Sequence, residues 1–210
     1  MGRRSPARRP KRGEARPVEL VVAAGLALVA IALCAPCVLD ALSMPVVERI
    51  PTCTPCHGAD GNSRIKNVPS LAGQPEFFLL NQLILMREGV RRIEAMAPFV
   101  KDLTDADAEA LAKHFNKLAP QPSGEPIDPA LVERGAKIAT QRRCGSCHLP
   151  TLAGQDQMPR LAKQRVDYLI LTLKSYRDGP RPGADTAMSA GVAGLTDPDL
   201  AALAHYVASR

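Results

Sequence analysis

Two pentads of the form Cys-x-x-Cys-His are the residues of this chain best suited to chemistry. They are Cys53-Thr54-Pro55-Cys56-His57 and Cys144-Gly145-Ser146-Cys147-His148. This pattern is the attachment sequence of a c-type haem, in which two thiols add to the haem vinyl groups and the adjacent imidazole takes one axial position on the iron. Two pentads therefore predict two covalently bound haem c groups and a protein that moves single electrons.

Two other chemistries also use pairs of cysteines. The two pairs could in principle share one structural zinc, but both of the following histidines would then have no role. A thioredoxin-like dithiol belongs in a βαβ setting, and the chain has no strand-rich stretch of that kind. We also find no carboxylate dyad, nucleophile triad or phosphate-binding loop, so we expect an electron carrier and not an enzyme.

The second half of the chain repeats the first at nearly constant spacing. The matching blocks are Pro69-Ser70-Leu71-Ala72-Gly73-Gln74 with Pro159-Arg160-Leu161-Ala162-Lys163-Gln164, Arg87-Glu88-Gly89 with Arg177-Asp178-Gly179, and Leu103-Thr104-Asp105 with Leu195-Thr196-Asp197. Between the copies, residues 120–129 hold four prolines and indicate a stiff, extended linker. We therefore expect one domain at residues 44–119 and a second at residues 130–210.

Each copy has the pattern of a small helical domain. The apolar stretch from Glu76 to Arg91 predicts a helix that ends near Gly89, and Thr104 and Thr196, each followed by aspartates, predict the N-caps of further helices. Domains of about 80 residues have marginal cores, and a bound haem would supply apolar bulk. We expect an all-α protein made of two tandem small helical domains.

The register of the repeat predicts which methionines are the distal axial ligands. Only Met96 and Met188 occupy matching places, each shortly before a Leu-Thr-Asp motif, so we predict that these two methionines ligate iron. Met86 and Met158 have no methionine opposite them in the other copy and are interpreted as packing residues. A thioether ligand raises the reduction potential relative to ligation by two histidines.

Two further histidines are rival ligands. His114 aligns with Tyr206 in the repeat, and His205 aligns with Lys113, so neither has a matching histidine. We interpret His114 as a side chain packed on the last helix of its domain and His205 as a solvated one.

The loop after each pentad leads to a proline, Pro69 or Pro159. A ligating imidazole usually donates its other N–H to a fixed acceptor, and a proline carbonyl at this place is a natural one. The alternative is that each proline only shapes the loop.

The chain resembles the class I c-type cytochromes, and in particular the diheme cytochrome c4 family, over about residues 45–210. The residues that carry the resemblance in the first copy are Cys53, Cys56, His57, Gly58-Ala59-Asp60-Gly61-Asn62-Ser63, Pro69-Ser70-Leu71-Ala72-Gly73-Gln74, Arg87-Glu88-Gly89 and Met96. Those in the second copy are Cys144, Cys147, His148, Pro159, Leu161, Gln164, Arg177, Asp178, Gly179 and Met188.

The resemblance implies that each domain carries one haem with His/Met iron. It also implies that the two domains are related by a pseudo-two-fold, that the haems lie near the domain interface, and that Pro69 and Pro159 accept hydrogen bonds from the proximal histidines. One departure from the family concerns the first helix. Leu131 to Arg143 predicts a helix before the second pentad, with Gly135 available for close helix contact near Tyr206. Residues 44–52, in contrast, contain Pro45 and Pro51 and predict a first helix that is very short or missing.

The amino terminus carries the whole net charge. Residues 1–17 contain 7 of the 27 basic residues and 1 of the 21 acidic ones, which leaves 20 and 20 for the remainder. The net charge of +6 is therefore no sign of a nucleic-acid partner for the folded domains. Residues 20–39 are uncharged and fit either a Sec-type export signal or an uncleaved membrane anchor, with Ala41-Leu42-Ser43 as a cleavage site. Cys34 and Cys37 lie in this stretch without a following histidine and predict no third haem.

The sequence thus predicts a diheme electron carrier on the periplasmic side of the bacterial inner membrane. We expect residues 20–39 to tether it to the membrane, and cleavage of that stretch would instead give a soluble periplasmic carrier. We expect redox partners such as a cytochrome bc1-type donor and a terminal oxidase. A second interpretation is a diheme subunit of a larger dehydrogenase complex. A third, a diheme peroxidase or thiosulfate-oxidising enzyme, would need an open iron site, and the matching methionines argue against it.

Overall fold

The described part of the computed structural model comprises residues 46–179, 183 and 186–210, which belong to one compact unit. These residues form helices and no strand, which confirms the all-α class. The helices are α1 Val46–His57, α2 Glu76–Arg87, α3 Ala97–Val100, α4 Asp105–Asn116, α5 Pro129–Gln141, α6 Gly145–His148, α7 Val166–Asp178, α8 Thr186–Val192 and α9 Asp197–Ala208. The predicted apolar helix at residues 20–39 lies outside the described residues. None of the helices described is long and apolar enough to cross a bilayer.

The core of the first half lies between α2 and α4, with α3 closing one end. Its buried residues are Leu79, Val100, Leu103, Leu111, Ala112 and Phe115. On α4 the buried positions Leu111, Ala112 and Phe115 recur at helical spacing and therefore share one face. The half-buried Cys53 and Met96 pack against the same cluster, so the core also positions the residues predicted to hold a haem.

The second half is built around close contact between α5 and α9. A Cβ atom at Gly135 would overlap the backbone of Ala202 and come within 2.7 Å of the Cβ of Tyr206. Only glycine allows this approach, which confirms the expected close helix contact at Gly135. Two buried clusters flank the contact. One contains Ile138, Ala139, Val192, Leu195, Leu200, Ala202 and Leu203, and the other contains Leu152, Val166, Leu169, Ala204, Val207 and Ala208.

The last helix of each half starts with the same device. Thr104 accepts a hydrogen bond from the backbone of Asp107, and the Asp107 side chain accepts one from the backbone of Thr104. Thr196 and Asp199 form the same capping box at α9. Each box satisfies backbone N–H groups that the first turn of a helix leaves without partners.

An arginine fixes each of these helix starts to the preceding long helix. Arg87 Nη1 donates to Leu103 O at 3.0 Å and to Asp105 at 2.8 Å. Arg177 Nη1 donates to Leu195 O at 3.2 Å and pairs with Asp197 at 2.7 Å. The Arg-acid-Gly block of the repeat therefore contains the residue that locks the last helix in place.

The first helix differs from what the sequence predicts for it. The alternative that it is missing is wrong, because α1 spans 12 residues and runs without a break through the first pentad to His57. Pro51 and Pro55 lie inside it. The Thr54 hydroxyl donates to the carbonyl of Pro51, which lacks its helical donor because residue 55 is a proline, and the Thr52 hydroxyl donates to the carbonyl of Arg49. Its contact with α4 is small, in contrast to that between α5 and α9.

The segment between α4 and α5 is bonded to both halves. Asn62 Oδ1 accepts from the backbone of Gln121 at 2.8 Å, and Arg64 donates to Pro122 O at 2.7 Å. At the other end, the Glu125 carboxylate accepts from the first backbone N–H groups of α7, those of Val166 at 2.8 Å and Asp167 at 3.1 Å. A carboxylate at a helix N-terminus is favourable because it completes the free N–H groups and complements the helix dipole.

Candidate haem sites

The first pentad ends α1, and this places His57 in the interior. Its side chain is 6% exposed, and its Nδ1 lies 2.8 Å from the carbonyl oxygen of Pro69. The loop between them turns at Gly58 and Gly61, both at positive φ. A Cβ at Gly58 would lie 2.5 Å from Asn62 O, so the turn requires glycine there.

The second pentad reaches the same geometry by a different route. Here α5 ends before the pentad, Arg143 adopts a φ of 55°, and Gly145–His148 forms the separate helix α6. His148 is 7% exposed, and its Nδ1 lies 2.9 Å from the carbonyl oxygen of Pro159. Leu149, with a φ of 68°, ends the helix immediately after the histidine.

The two imidazoles share one electrostatic setting. Burial lowers the pKa of His57 and of His148, and the hydrogen bond to the proline carbonyl opposes that shift in part. A carbonyl oxygen only accepts, so Nδ1 must carry the proton. The neutral ring then presents Nε2 as its remaining lone pair, which is the arrangement of a metal-ligating histidine whose other nitrogen is fixed by a backbone acceptor.

The four pentad cysteines form no disulfide with one another. Cys53 and Cys144 are half-buried, each against the core of its own half, and burial raises the pKa of both thiols. Cys56 and Cys147 are exposed. In each pentad, one half-buried and one exposed thiol therefore flank a buried imidazole.

The donor set fits haem and does not fit zinc. Among the described residues no group of three His, Cys, Asp or Glu side chains converges to hold a metal ion, so the two cysteine pairs do not share one zinc. Each pair is instead next to an oriented imidazole with a free Nε2. Two separate thiol pairs, each with its own histidine, match the needs of two covalent haems.

The methionines predicted as distal ligands lie on the same cores as the pentads. Met96 is half-buried and immediately precedes α3, packing on the cluster that also contacts Cys53. Met188 is half-buried within α8 and packs on the cluster that also contacts Cys144. Met86 packs on the first cluster as well. Burial therefore does not separate Met86 from Met96, and the prediction of Met96 continues to rest on the repeat.

The remaining candidates have other contacts. Met158 forms an isolated backbone bridge with Gln155 in the loop before Pro159. His114 packs edge-on against Phe115, with ring centroids 5.0 Å apart. His205 is not simply solvated, because its Nδ1 accepts a hydrogen bond from the backbone N–H of Asp128 at 3.2 Å. Sequence reasoning missed this contact, which ties the start of α5 to α9.

Sequence reasoning also missed a set of buried polar residues between the halves. Gln74 bonds to the backbone of Arg160, and Gln164 bonds to the backbone of Ser70. The repeat carried a signal, because both glutamines end the block that begins with Pro69 or Pro159. Arg160 itself is 4% exposed, and its Nη2 has no hydrogen-bond partner among the described residues. Burial lowers the pKa of Arg160 to about 10, so the side chain is still cationic at neutral pH.

Comparisons with known proteins agree with this picture. A family model described as cytochrome c matches residues 132–210, and one described as cytochrome c oxidase, cbb3-type, subunit III matches residues 46–114. Cytochrome c4 from Stutzerimonas stutzeri is 34% identical over 179 residues, which cover 76% of this chain and 84% of that protein.

Two further similarities bear on function. A thiosulfate dehydrogenase electron acceptor from Thiomonas intermedia is 32% identical over 76% of this chain and 78% of its own length. The crystal structure of reduced recombinant cytochrome c4 from Pseudomonas stutzeri superimposes with a TM-score of 0.70 and 30% identity, over 80% of this chain and 99% of that one.

Proposed function

Because the chain belongs to the cytochrome c4 family of diheme class I c-type cytochromes, we propose that it carries single electrons across the periplasm between respiratory complexes. It is an electron carrier with two covalently bound haem c groups. The donor in this proposal is a cytochrome bc1-type complex or a similar enzyme, and the acceptor is a terminal oxidase.

The observation that carries the proposal is the duplicated histidine arrangement. In both halves a buried imidazole follows the Cys-x-x-Cys pair and is oriented by a proline carbonyl, at 2.8 Å for His57 and 2.9 Å for His148. When bound, the haem supplies the one-electron chemistry of its iron. The protein holds the porphyrin through its thiols, fixes the ring orientation of each histidine, and encloses the site in an apolar core.

The proposed domains are residues 44–119 and 130–210, joined by the segment 120–129. In the first, Cys53 and Cys56 bind the haem covalently, and His57 and Met96 ligate the iron. In the second, the corresponding residues are Cys144, Cys147, His148 and Met188. Pro69 and Pro159 complete the sites by holding the histidines.

The proposed location is the periplasmic side of the inner membrane. Seven basic residues precede the uncharged stretch 20–39, and the positive-inside rule would keep them in the cytoplasm. If the stretch is retained as an anchor, the haem domains stay near membrane oxidases at a raised effective concentration. If it is cleaved, the same domains are released as a soluble carrier.

A second candidate function is that of a diheme electron-transfer partner or subunit of a dehydrogenase. It is favoured by the similarity to the Thiomonas intermedia protein, whose name describes an electron acceptor of thiosulfate dehydrogenase. The two functions differ in the donor and share the same haem sites.

The test starts from the full-length protein isolated from membranes and from periplasm. Its mass reports both haem count and amino-terminal processing. The reduced protein should be reoxidised by oxidase-containing membranes in a reaction that terminal-oxidase inhibitors block. Reduction by thiosulfate dehydrogenase with no oxidation by membranes would favour the second function, and one haem per chain would contradict both.

The axial ligands are tested by substituting each methionine. Met96→Ala and Met188→Ala should each remove about half of the near-infrared band of ferric thioether ligation and lower one of the two potentials, because a thioether raises the haem potential. Met86→Ala and Met158→Ala are the matched controls. If either control removes the band instead, the assignment by repeat register is wrong.

A further inference from the structure

Two buried glutamines join the halves reciprocally. Gln164 Oε1 accepts a hydrogen bond from the backbone N–H of Ser70 at 2.8 Å, and its Nε2 donates to the carbonyl of Ser70 at 2.8 Å. Gln74 Oε1 accepts from the backbone N–H of Arg160 at 2.9 Å, and its Nε2 donates to the carbonyl of Arg160 at 3.0 Å. Each side-chain amide therefore makes two hydrogen bonds to the backbone of one residue in the opposite half.

The two peptide groups whose N–H the glutamines bind are the same ones whose carbonyls orient the histidines. The carbonyl of the Pro69–Ser70 peptide accepts from Nδ1 of His57, and the N–H of that peptide donates to Gln164. In the second half, the carbonyl of the peptide after Pro159 accepts from His148, and its N–H donates to Gln74. A continuous hydrogen-bonded path thus runs from each histidine, through one peptide group, to a glutamine of the other half.

The path is shielded from water along its length. Ser70 is fully buried, and Gln74, Arg160 and Gln164 are between 3% and 4% exposed. In such a setting hydrogen bonds polarise one another, so that acceptance at the N–H end of a peptide makes its carbonyl a stronger acceptor. The strength of the bond to each histidine therefore depends on the glutamine at the far end of the same peptide.

We propose that Gln164 is a positioning residue for the haem of the first half and Gln74 a positioning residue for the haem of the second. The effect crosses between the halves. The glutamine of each half bonds to the peptide whose carbonyl accepts a hydrogen bond from the histidine of the other half. This inference rests on the proposed axial ligation by His57 and His148.

The direction of the effect follows from the chemistry of the ligand. A stronger hydrogen bond from Nδ1 makes the imidazole more basic, and a more basic ligand favours ferric iron. Loss of the glutamine acceptor should weaken that bond and raise the reduction potential of the haem in the opposite half. We expect roughly a threefold change in the equilibrium constant for reduction, less than for loss of a direct outer-shell partner. This equals about 28 mV at 59 mV per tenfold change for one electron.

The first experiment is Gln164→Leu in the full-length holoprotein. The potential of the haem bound by His57 should rise, while that of the haem bound by His148 should stay within the error of the titration. In 15N-histidine-labelled reduced protein, the Nδ1–H resonance of His57 should move and exchange faster with solvent. Gln74→Leu should give the mirror result, affecting the haem and the ring proton of His148.

The crossed pattern separates this role from simple adhesion between the halves. If the glutamines only hold the interface closed, each substitution should disturb both haems alike, and that outcome overturns the proposal. A shift confined to the haem in the same half as the substituted glutamine overturns it as well.

A conservative variant and a distant one complete the test. Gln164→Glu keeps an acceptor oxygen for the Ser70 N–H and should not raise the potential of the first haem; a rise equal to that of Gln164→Leu contradicts the mechanism. Gln141→Leu, at the exposed end of α5, is the matched control and should leave both potentials unchanged.

Failure of the underlying ligation would look different. In the oxidised wild-type protein, the ring protons of His57 and His148 should show the large paramagnetic shifts of iron ligands. Normal diamagnetic shifts for either ring would refute the proposed ligation itself, whatever the glutamine variants do.

Discussion

The two halves differ most in how the first helix meets the last. In the second half, α5 lies so close to α9 that no side chain fits at Gly135. In the first half, α1 has only a small contact with α4, and the link is an ion pair between Arg49 and Asp107 at 3.0 Å, with side chains 16% and 5% exposed. The corresponding pair in the second half, Arg134 with Asp199, is more exposed, at 50% and 19%.

The difference shows which parts of the duplicated domain are tightly constrained. The contacts from histidine to proline, the capping box and the arginine at the end of the long helix are the same in both halves. The way in which the helix before the pentad is attached is less constrained. Backbone contact holds this helix in one half, and a buried charge pair holds it in the other. The arginines of the two ion pairs, Arg49 and Arg134, do not align in the repeat.

The largest effect expected from this comparison is that of Gly135→Ala. The added Cβ would overlap the backbone of Ala202, and α5 would have to move away from α9. Overpacking of this kind costs roughly 2–3 kcal/mol of the free energy of unfolding. Urea unfolding of the holoprotein, followed by far-UV circular dichroism, measures this loss.

The matched control for this change is Gly191→Ala in α8. No atom of the described residues lies within 4 Å of a Cβ at that glycine, and alanine is the better helix former. This variant should be neutral or more stable by up to about 1 kcal/mol. Equal destabilisation by both substitutions would contradict the close-contact explanation.

The next largest effect is a difference in stability between variants that lack one or the other of the two ion pairs. Arg49→Leu leaves Asp107 buried without its cationic partner, and we expect a loss of about 2–3 kcal/mol, somewhat below the range for a fully buried pair because Thr104 still donates to the carboxylate. Arg134→Leu removes the more exposed pair and should cost less than about 1 kcal/mol. Denaturation at low and high salt distinguishes them, since salt should weaken only the exposed pair. Equal costs for the two variants would show that the first helix of each half is held in the same way.

A smaller effect is expected from making the interface symmetric. Arg160 and Ser70 occupy matching places, and the glutamine contacts use only their backbone atoms. Arg160→Ser therefore removes a buried cation without breaking those contacts. A cation next to the proposed haem sites favours the reduced state, so both potentials should fall, by on the order of 1 kcal/mol in the free energy of reduction. Potentiometric titration tests this, with the exposed Lys117→Ser as control. Unchanged potentials would mean that Arg160 exerts no field at either iron.

Much of the local geometry around the candidate haem sites could be predicted from the sequence because it depends on local spacing. The pentads, the capping threonines and the Gly135 contact follow from short patterns. The end of α2 at Arg87 also lies close to the end that the sequence predicts near Gly89, where a φ of 69° cannot continue the helix.

What the sequence could not reveal are contacts between distant segments. The repeat shows that Gln74 matches Gln164, but an internal repeat carries no information on whether such residues face their own half or the other. The first helix was misjudged for a related reason. Pro51 and Pro55 lower helix propensity, yet the tertiary setting and the threonine hydroxyls stabilise the helix in spite of them.

The smallest effect expected is a pH dependence at the start of α9. Hydrogen bonds from the Thr196 side chain and backbone, together with Arg134, lower the pKa of Asp199 from 3.8 to about 2. A carboxylate whose pKa is lower in the folded than in the unfolded protein adds stability above the unfolded pKa, and this contribution is lost as pH falls from about 4 to about 2. Asp199→Asn should therefore be less stable than wild type at pH 6, by less than about 1 kcal/mol, as for loss of a helix cap. The difference should shrink as the pH approaches 2. Urea titrations between pH 2 and 6 test this, with the exposed loop variant Asp156→Asn as control. A difference that stays constant over that range would mean that the geometry of the capping box, and not the charge of Asp199, holds the helix start.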